Sequence, residues 1–459
     1  MSKKEFQQPP SPPPPNNPRQ CNFWVKRKRR YCHLPKKLDN NYCGEHLQCE
    51  VKVGIKKERI PCPFDPSHTV YKIELEKHLK HKCNSRPKPT PAYFSLDINC
   101  TLPTPISPID DNDGDKSNDD GKITLSGLSK ETLNILINNV RNWYNNNDAV
   151  PKIIRTEVLD HEVLKEKKEI TKNQKHVIQQ ASLLGHMKRL ELLKANSCSI
   201  EFGCGKGELS YFKKLAIKKE ADDNNNKSTF ILIDRKNTRG KFDSLIRGSL
   251  DNKSIIKRIE IDIKDLDLSM LDLLNNNSGN EEEENKNSDN HNIVAYSKHL
   301  CGSATDITLK ALINYLNSRI IIALCCHQLC RYHMYPYHDY LKDLGITKND
   351  FQRICAMSSW AICGQRQKYK KDDNDCEGEK EYEDYDYESD LVKKEDNLIH
   401  YSGLEHSDRE ILGYQCKRIL DAGRVKFLEA NGFQAELIYY VEPSTSLENL
   451  ALIAIPKKL

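Results

Sequence analysis

The apolar positions change their spacing at Cys198. Upstream, across residues 126–195, apolar side chains fall at helical intervals. In the stretch from Thr171 to Leu193, Val177, Ile178, Ala181, Leu184, Leu190 and Leu193 lie on that repeat, which predicts an amphipathic helix. Downstream, short apolar runs alternate with helical stretches. The runs are 198–202, 229–233, 259–263, 293–296, 320–325, 435–441 and 450–455. Strands buried on both faces read as such runs, and their alternation with helices predicts a mostly parallel, doubly wound α/β sheet. The last two runs are joined by the short segment EPSTSLEN, which predicts a closing antiparallel hairpin.

The pattern also marks where no core can form. Residues 1–19 are proline-rich and are expected to be extended and disordered. Residues 20–50 and 60–86 are compact Cys/His segments, and 87–125 read as a linker before a catalytic domain at 126–459. Insertions near 221–228, 275–292 and 371–396 are poor in apolar residues and are expected as disordered surface loops. No run approaches the roughly 18–20 apolar residues of a membrane span. The N-terminus lacks the apolar stretch of a secretory signal, so an intracellular protein of nucleus or cytoplasm is expected. Oligomeric state is left open.

Charge is uneven. Residues 1–90 hold 20 Lys and Arg against 8 Asp and Glu, while the whole chain carries +5, so the remainder is net acidic. A basic arm of that kind suits a polyanion, with RNA as the candidate partner and Lys26–Arg30 as a candidate contact. A solvated lysine-rich surface is the plainer reading. Seventeen cysteines in an intracellular chain argue for metal ligation where the spacing supports it.

Two segments have that spacing. Cys21, Cys32, Cys43 and His46 form a Cys3His set, and Cys62, His68, His78 and Cys83 form a CysHisHisCys set, each suited to one structural zinc ion. Segments of about 30 residues cannot fold on burial alone, so the metal would supply the folding energy. His81 competes with His78 for the third position of the second set.

In the sheet region, the first run ends in Glu201-Phe202-Gly203-Cys204-Gly205-Lys206-Gly207. Glycines there permit a tight turn and close ligand approach, and the G-x-G-x-G spacing lacks the last glycine of a dinucleotide fingerprint. With Glu201 beside it, the turn suits S-adenosylmethionine. Asp234 ends the second run and suits ribose hydroxyls, and Asp262 ends the third and suits an adenine amino group. The fourth run leads into Lys298 and His299, at the strand ends where such folds bind ligands. The fifth leads into Cys325, Cys326, His327 and Cys330, a cluster open to catalytic, substrate-binding, metal-binding or simply buried roles. His299 or His327 could accept a proton, and Lys298 could stabilise an alkoxide.

Taken together these motifs resemble the eukaryotic tRNA ribose 2′-O-methyltransferase family that modifies position four of the acceptor stem. The matching pieces are the two Cys/His modules, QQASLLGH at 179–186, EFGCGKG at 201–207, SKHLCGSATD at 297–306, ALCCH at 323–327, Ser-Ser-Trp at 358–360 and GRVKFLEANGF with SLENLAL near the C-terminus. The resemblance implies a Rossmann-like class I methyltransferase with a seven-stranded sheet. It also implies transfer of a methyl group from S-adenosylmethionine to a ribose 2′-hydroxyl of the tRNA acceptor stem. The chain departs from it in the four-residue gap between His78 and Cys83 and in extra residues after Arg353. It also has no Lys-Asp-Lys-Glu tetrad of the kind other ribose methyltransferases use. The competing reading is a non-catalytic zinc-finger RNA-binding protein with a vestigial methyltransferase domain.

Overall fold

The computed structural model describes residues 17–25, 30–46, 59–86, 90–102, 124–220, 228–248, 254–271, 293–362 and 400–457, together with Pro15 and Leu274 and less a few single positions. Most of the Pro-rich start, most of Lys26–Arg30 and nearly all of the three insertions lie outside these residues. The chain divides into two compact units, residues 1–90 and 91–459.

The first unit holds two small hairpins. β1 (Trp24–Val25) pairs with β2 (Arg30–Tyr31), and β3 (Arg59–Cys62) pairs with β4 (Asp65–Tyr71), both antiparallel. Glu45 ties the two modules together. Its carboxylate accepts from the Arg59 guanidinium at 3.1 Å, the Thr69 backbone N–H at 2.9 Å and the Thr69 hydroxyl at 3.0 Å.

The second unit is built on a seven-stranded sheet in the order β10-β11-β9-β8-β5-β6-β7. Its strands are β5 (Cys198–Phe202), β6 (Thr229–Asp234), β7 (Ile255–Glu260), β8 (Ile293–Cys301), β9 (Arg319–Cys325), β10 (Phe433–Tyr439) and β11 (Leu450–Pro456). All are parallel except β11, which runs antiparallel to both β9 and β10. Alternation along β6 sends Ile231 and Ile233 into one apolar layer and Phe230 and Leu232 into the other, so both faces are covered. Helices Ser303–Leu312 and His406–Ala430 contribute to the first layer, and Lys175–Arg189 and Glu208–Glu220 to the second.

Two expectations change. The third strand is Ile255–Glu260 rather than 259–263. As an edge strand it is half polar, whereas Ile261 and Ile263 are buried in the turn that follows it. Residues 91–102, read as linker, are instead docked on this unit. Asn99 is buried and donates to the Ile263 and Leu266 carbonyls at 2.7 Å each, and Ser95 N donates to the Asp265 carbonyl at 2.9 Å.

The long helix Glu405-capped at His406–Ala430 carries charges into the core. Asp421 accepts from His327 Nε2 at 2.7 Å, Arg418 at 2.8 Å and Arg424 at 3.0 Å. Arg424 also donates to Asp306 at 2.8 Å. Burial alone would raise the Asp421 pKa, but His327 and the two guanidiniums outweigh it and hold the carboxyl well below its ordinary value. Such a depressed pKa contributes stability above the unfolded-state value and loses it as pH falls through the folded value. Asp421→Asn should therefore cost on the order of 3–5 kcal/mol at neutral pH by stranding buried cations. Thermal unfolding checks this: the deficit should narrow below about pH 4, where the unfolded carboxyl protonates.

Candidate functional site

The first metal set converges as the spacing requires. Cys21 Sγ lies 3.6 Å and Cys43 Sγ 3.3 Å from His46 Nδ1, and Cys32 Sγ lies 4.0 Å from Cys43 Sγ. Ligand bonds of ~2.0–2.3 Å in a tetrahedron give edges of roughly 3.3–3.8 Å, so these donors fit one zinc ion. The Phe23 ring stacks on His46 with centroids 3.9 Å apart and fixes its plane.

The second set fits equally. Cys62 Sγ lies 3.5 Å from Cys83 Sγ and 3.3 Å from His78 Nε2, and His68 Nε2 lies 3.2 Å from His78 Nε2. His78, not the exposed His81, is the third donor. The four-residue gap before Cys83 is absorbed by a π-helical turn over His78–Lys82, in which Cys83 N donates to the His78 carbonyl at 2.7 Å.

The catalytic unit brings together most of the expected cofactor residues. From β5 the chain runs to β6 and β7 on one side and returns as β8 on the other, so the crevice between the β5 and β8 ends is the topological switch point. The glycine loop enters it. Gly203, Gly205 and Gly207 have φ of 62°, 49° and 83°, conformations that suit glycine. A Cβ on Gly203 would stand 2.9 Å from the His299 carbonyl oxygen, whereas one on Gly205 would meet nothing within 4 Å. The first glycine thus permits packing against β8, and the second leaves free space where a side chain would stand.

Asp234 shapes this loop as well as facing it. Its carboxylate accepts from Gly205 N at 2.8 Å and Lys236 N at 2.9 Å. Arg258 secures the other side, donating to the Gly205 carbonyl at 2.8 Å and to Asp243 at 2.7 and 2.9 Å. Asp234, Asp243, Arg258 and Glu260, with Lys236 and Lys241, line a cavity of about 230 Å³. Glu260 is the register partner of Asp234. Asp262 stands two residues beyond the strand and caps the next turn by accepting from Lys264 N at 3.1 Å. Arg258, Asp243 and Glu260 were not singled out by sequence; an arginine within an alternating edge strand was the available signal.

Glu201 is buried beneath the loop. It accepts from Ser210 N at 3.1 Å and from the Ser210 hydroxyl, which also contacts Tyr296 Oη at 2.7 Å. Desolvation raises its pKa to about 7, against the Ser210 bonds and the charge of Lys298. Lys213, buried with its ammonium 4.3 Å from the centre of the Tyr296 ring, is lowered to about 7 by the same desolvation.

Lys298 and His299 lie near the C-terminal end of β8, where the His299 carbonyl abuts this loop. The β8–β9 register shifts between Ser297 and Leu300, a bulge that leaves Lys298 half-buried and His299 exposed. Lys298 acts electrostatically on both Glu201 and Glu208. Gln180, from the QQASLLGH motif, reaches the same Glu208 at 2.7 Å. His327 is not brought to the crevice. Its side chain is 1% exposed and committed to Asp421, so it belongs to the buried charge network rather than to a proton-transfer site.

Comparisons with known proteins agree with this architecture. The family model described as methyltransferase TRM13 matches residues 178–455. The model for the CCCH zinc finger in TRM13 protein matches 19–47, and that for the U11-48K-like CHHC zinc finger matches 59–84. A mouse tRNA:m(4)X modification enzyme TRM13 homolog is 32% identical, over 95% of this chain and 94% of its own. The Debaryomyces hansenii tRNA:m(4)X modification enzyme TRM13 is 32% identical, over 95% and 92%. The Schizosaccharomyces pombe enzyme of that name is 34% identical, over 86% and 95%. The crystal structure of SAH-bound Podospora anserina methyltransferase PaMTH1 covers 72% of this chain and 97% of its own at a TM-score of 0.30 and 9% identity, a likeness too distant to bear on function. The chain belongs to the TRM13 methyltransferase family.

Proposed function

We propose that this chain transfers a methyl group from S-adenosylmethionine to the ribose 2′-hydroxyl at position four of the tRNA acceptor stem. The observation that carries the reading is the packing of the glycine loop at Gly203 against the His299 carbonyl of β8, one residue past Lys298, at the sheet's switch point. Relatives over nearly the whole chain are named tRNA:m(4)X modification enzymes, which supports tRNA as substrate. When bound, S-adenosylmethionine supplies an electrophilic methyl group. The side-chain-free space at Gly205, the strand-end acids Asp234 and Glu260, and Glu201 beneath the loop are the groups suited to hold it. Asp262 stands near them as a candidate for the adenine.

The protein's own contribution is position and charge. A ribose hydroxyl is a weak acid, so its oxygen becomes a better nucleophile where a cation faces the developing negative charge. Lys298 is suited to that role and His299 is the candidate proton acceptor. The basic N-terminal unit would grip phosphates, and A-form RNA favours such shape and backbone contacts over base reading.

Incubation of the protein with labelled S-adenosylmethionine and total tRNA, followed by digestion, should yield a 2′-O-methylated nucleoside mapped to the acceptor stem. Absence of label from tRNA while the cofactor still binds would leave the vestigial RNA-binding reading instead. Lys298→Ala should lower kcat by about 10²–10³-fold with cofactor affinity retained in calorimetry. Asp234→Ala should instead weaken cofactor binding.

A separate expectation concerns the zinc modules. Cys43→Ser or Cys62→Ser should weaken tRNA binding and flatten its salt dependence, with S-adenosylmethionine affinity unchanged. Filter binding across a salt series measures both. Unaltered tRNA affinity in both variants would remove the modules from substrate recognition.

A further inference from the structure

We propose that His299, Cys301, Cys325 and Cys326 hold a third metal ion, a closed Cys3His zinc site inside the catalytic unit. One donor atom from each of the four lies within 4.8 Å of every other. Cys301 Sγ is 2.9 Å from His299 Nε2, and Cys325 Sγ is 3.4 Å from His299 Nδ1. The second separation falls within the 3.2–4.0 Å of the two N-terminal sets, and the first is shorter.

Local backbone geometry brings the four together. His299 and Cys301 are two residues apart on β8, and Cys301 is the register partner of Cys325 on β9. The bulge between Ser297 and Leu300 re-aims His299. Cys326, immediately past β9, adopts the left-handed conformation with φ 53° and ψ 45°, which non-glycine residues rarely take. Gly302, with φ 50°, lets the next loop close over the group; a Cβ there would stand 2.6 Å from Leu329. Three sulfur donors and one imidazole in a tetrahedral arrangement suit zinc, and four protein ligands leave no open position.

The site would be structural, and it would act on the crevice through the backbone. His299 is the residue whose carbonyl packs against Gly203, and Lys298 precedes it. A metal at this point would pin the end of β8 and so hold Lys298 in place. It would also make His299 a ligand and remove it as a proton acceptor. The inference stands on the donor geometry and does not need the tRNA reading, since metal content is read without substrate.

The test uses the full-length protein purified in metal-free buffer, with zinc per chain measured by plasma mass spectrometry. Three zinc ions per chain are expected, falling to two in Cys301→Ser and in Cys325→Ser, and to two in Cys43→Ser through loss of a different ion. A wild-type value of two, or a third ion that survives both Cys301→Ser and Cys325→Ser, overturns the proposal. Because core variants can misfold, cobalt loading of the wild type gives an independent measure. The thiolate-to-cobalt charge-transfer band should correspond to eight thiolates, five from the N-terminal sets and three from this one. A band corresponding to five, or a disulfide between Cys301 and Cys325 found by peptide mapping, overturns it. Methyl transfer by the wild type is measured separately, so failure of the metal site and failure of the proposed activity are distinguishable.

Discussion

The backbones of β5 and β8 approach each other so closely at their C-terminal ends that only a glycine fits at 203, where a Cβ would stand 2.9 Å from the His299 carbonyl. That contact sets the width of the crevice. Gly203 turns with positive φ to pass β8, and at Gly205 the direction a side chain would take is empty. Asp234 then pins the Gly205 N–H from β6, and Arg258 pins its carbonyl from β7. The loop is thus held by three strands. Its shape is fixed before any ligand arrives, which is the preorganisation that positioning chemistry needs.

The β8–β9 side is fixed by charge as well as by the close approach at Gly302. Asp306 follows β8, His327 follows β9, and Asp421 and Arg424 come from a helix about a hundred residues further along. Each is buried, and each has a partner of opposite charge or hydrogen-bonding character. A network of this kind tolerates little rearrangement, since removing one member strands the rest in a medium that solvates ions poorly. Residues that look chemically active in sequence therefore serve to anchor the loop after β9.

Features set by local spacing were readable from sequence. Apart from His78, the N-terminal Cys/His sets needed only ligand type and interval, and β5, β6 and β9 needed only a run of apolar residues buried on both faces. What could not be read depends on three-dimensional pairing. β7 lies at a sheet edge, so its polar positions hid Ile255–Glu260 and moved the expected strand end to Asp262. Glu260, two residues earlier, is the side chain that register places opposite Asp234. His78 could not be separated from His81 without the π-helical turn that makes the longer gap fit. His327 looked like a base because its partner Asp421 is 94 residues away.

These placements bear on how a ribose hydroxyl would be activated. His327 is enclosed and held by Asp421, so it cannot reach a substrate. His299 is exposed, but its two ring nitrogens face Cys301 and Cys325. Lys298, next to His299 on β8, is half-buried and within electrostatic reach of Glu201 and Glu208. With a sulfonium methyl as electrophile the nucleophile needs little basicity, and the larger demand is stabilisation of charge as the oxygen approaches. In the proposed reading Lys298 would meet that demand, carried on the β8 bulge beside the glycine loop.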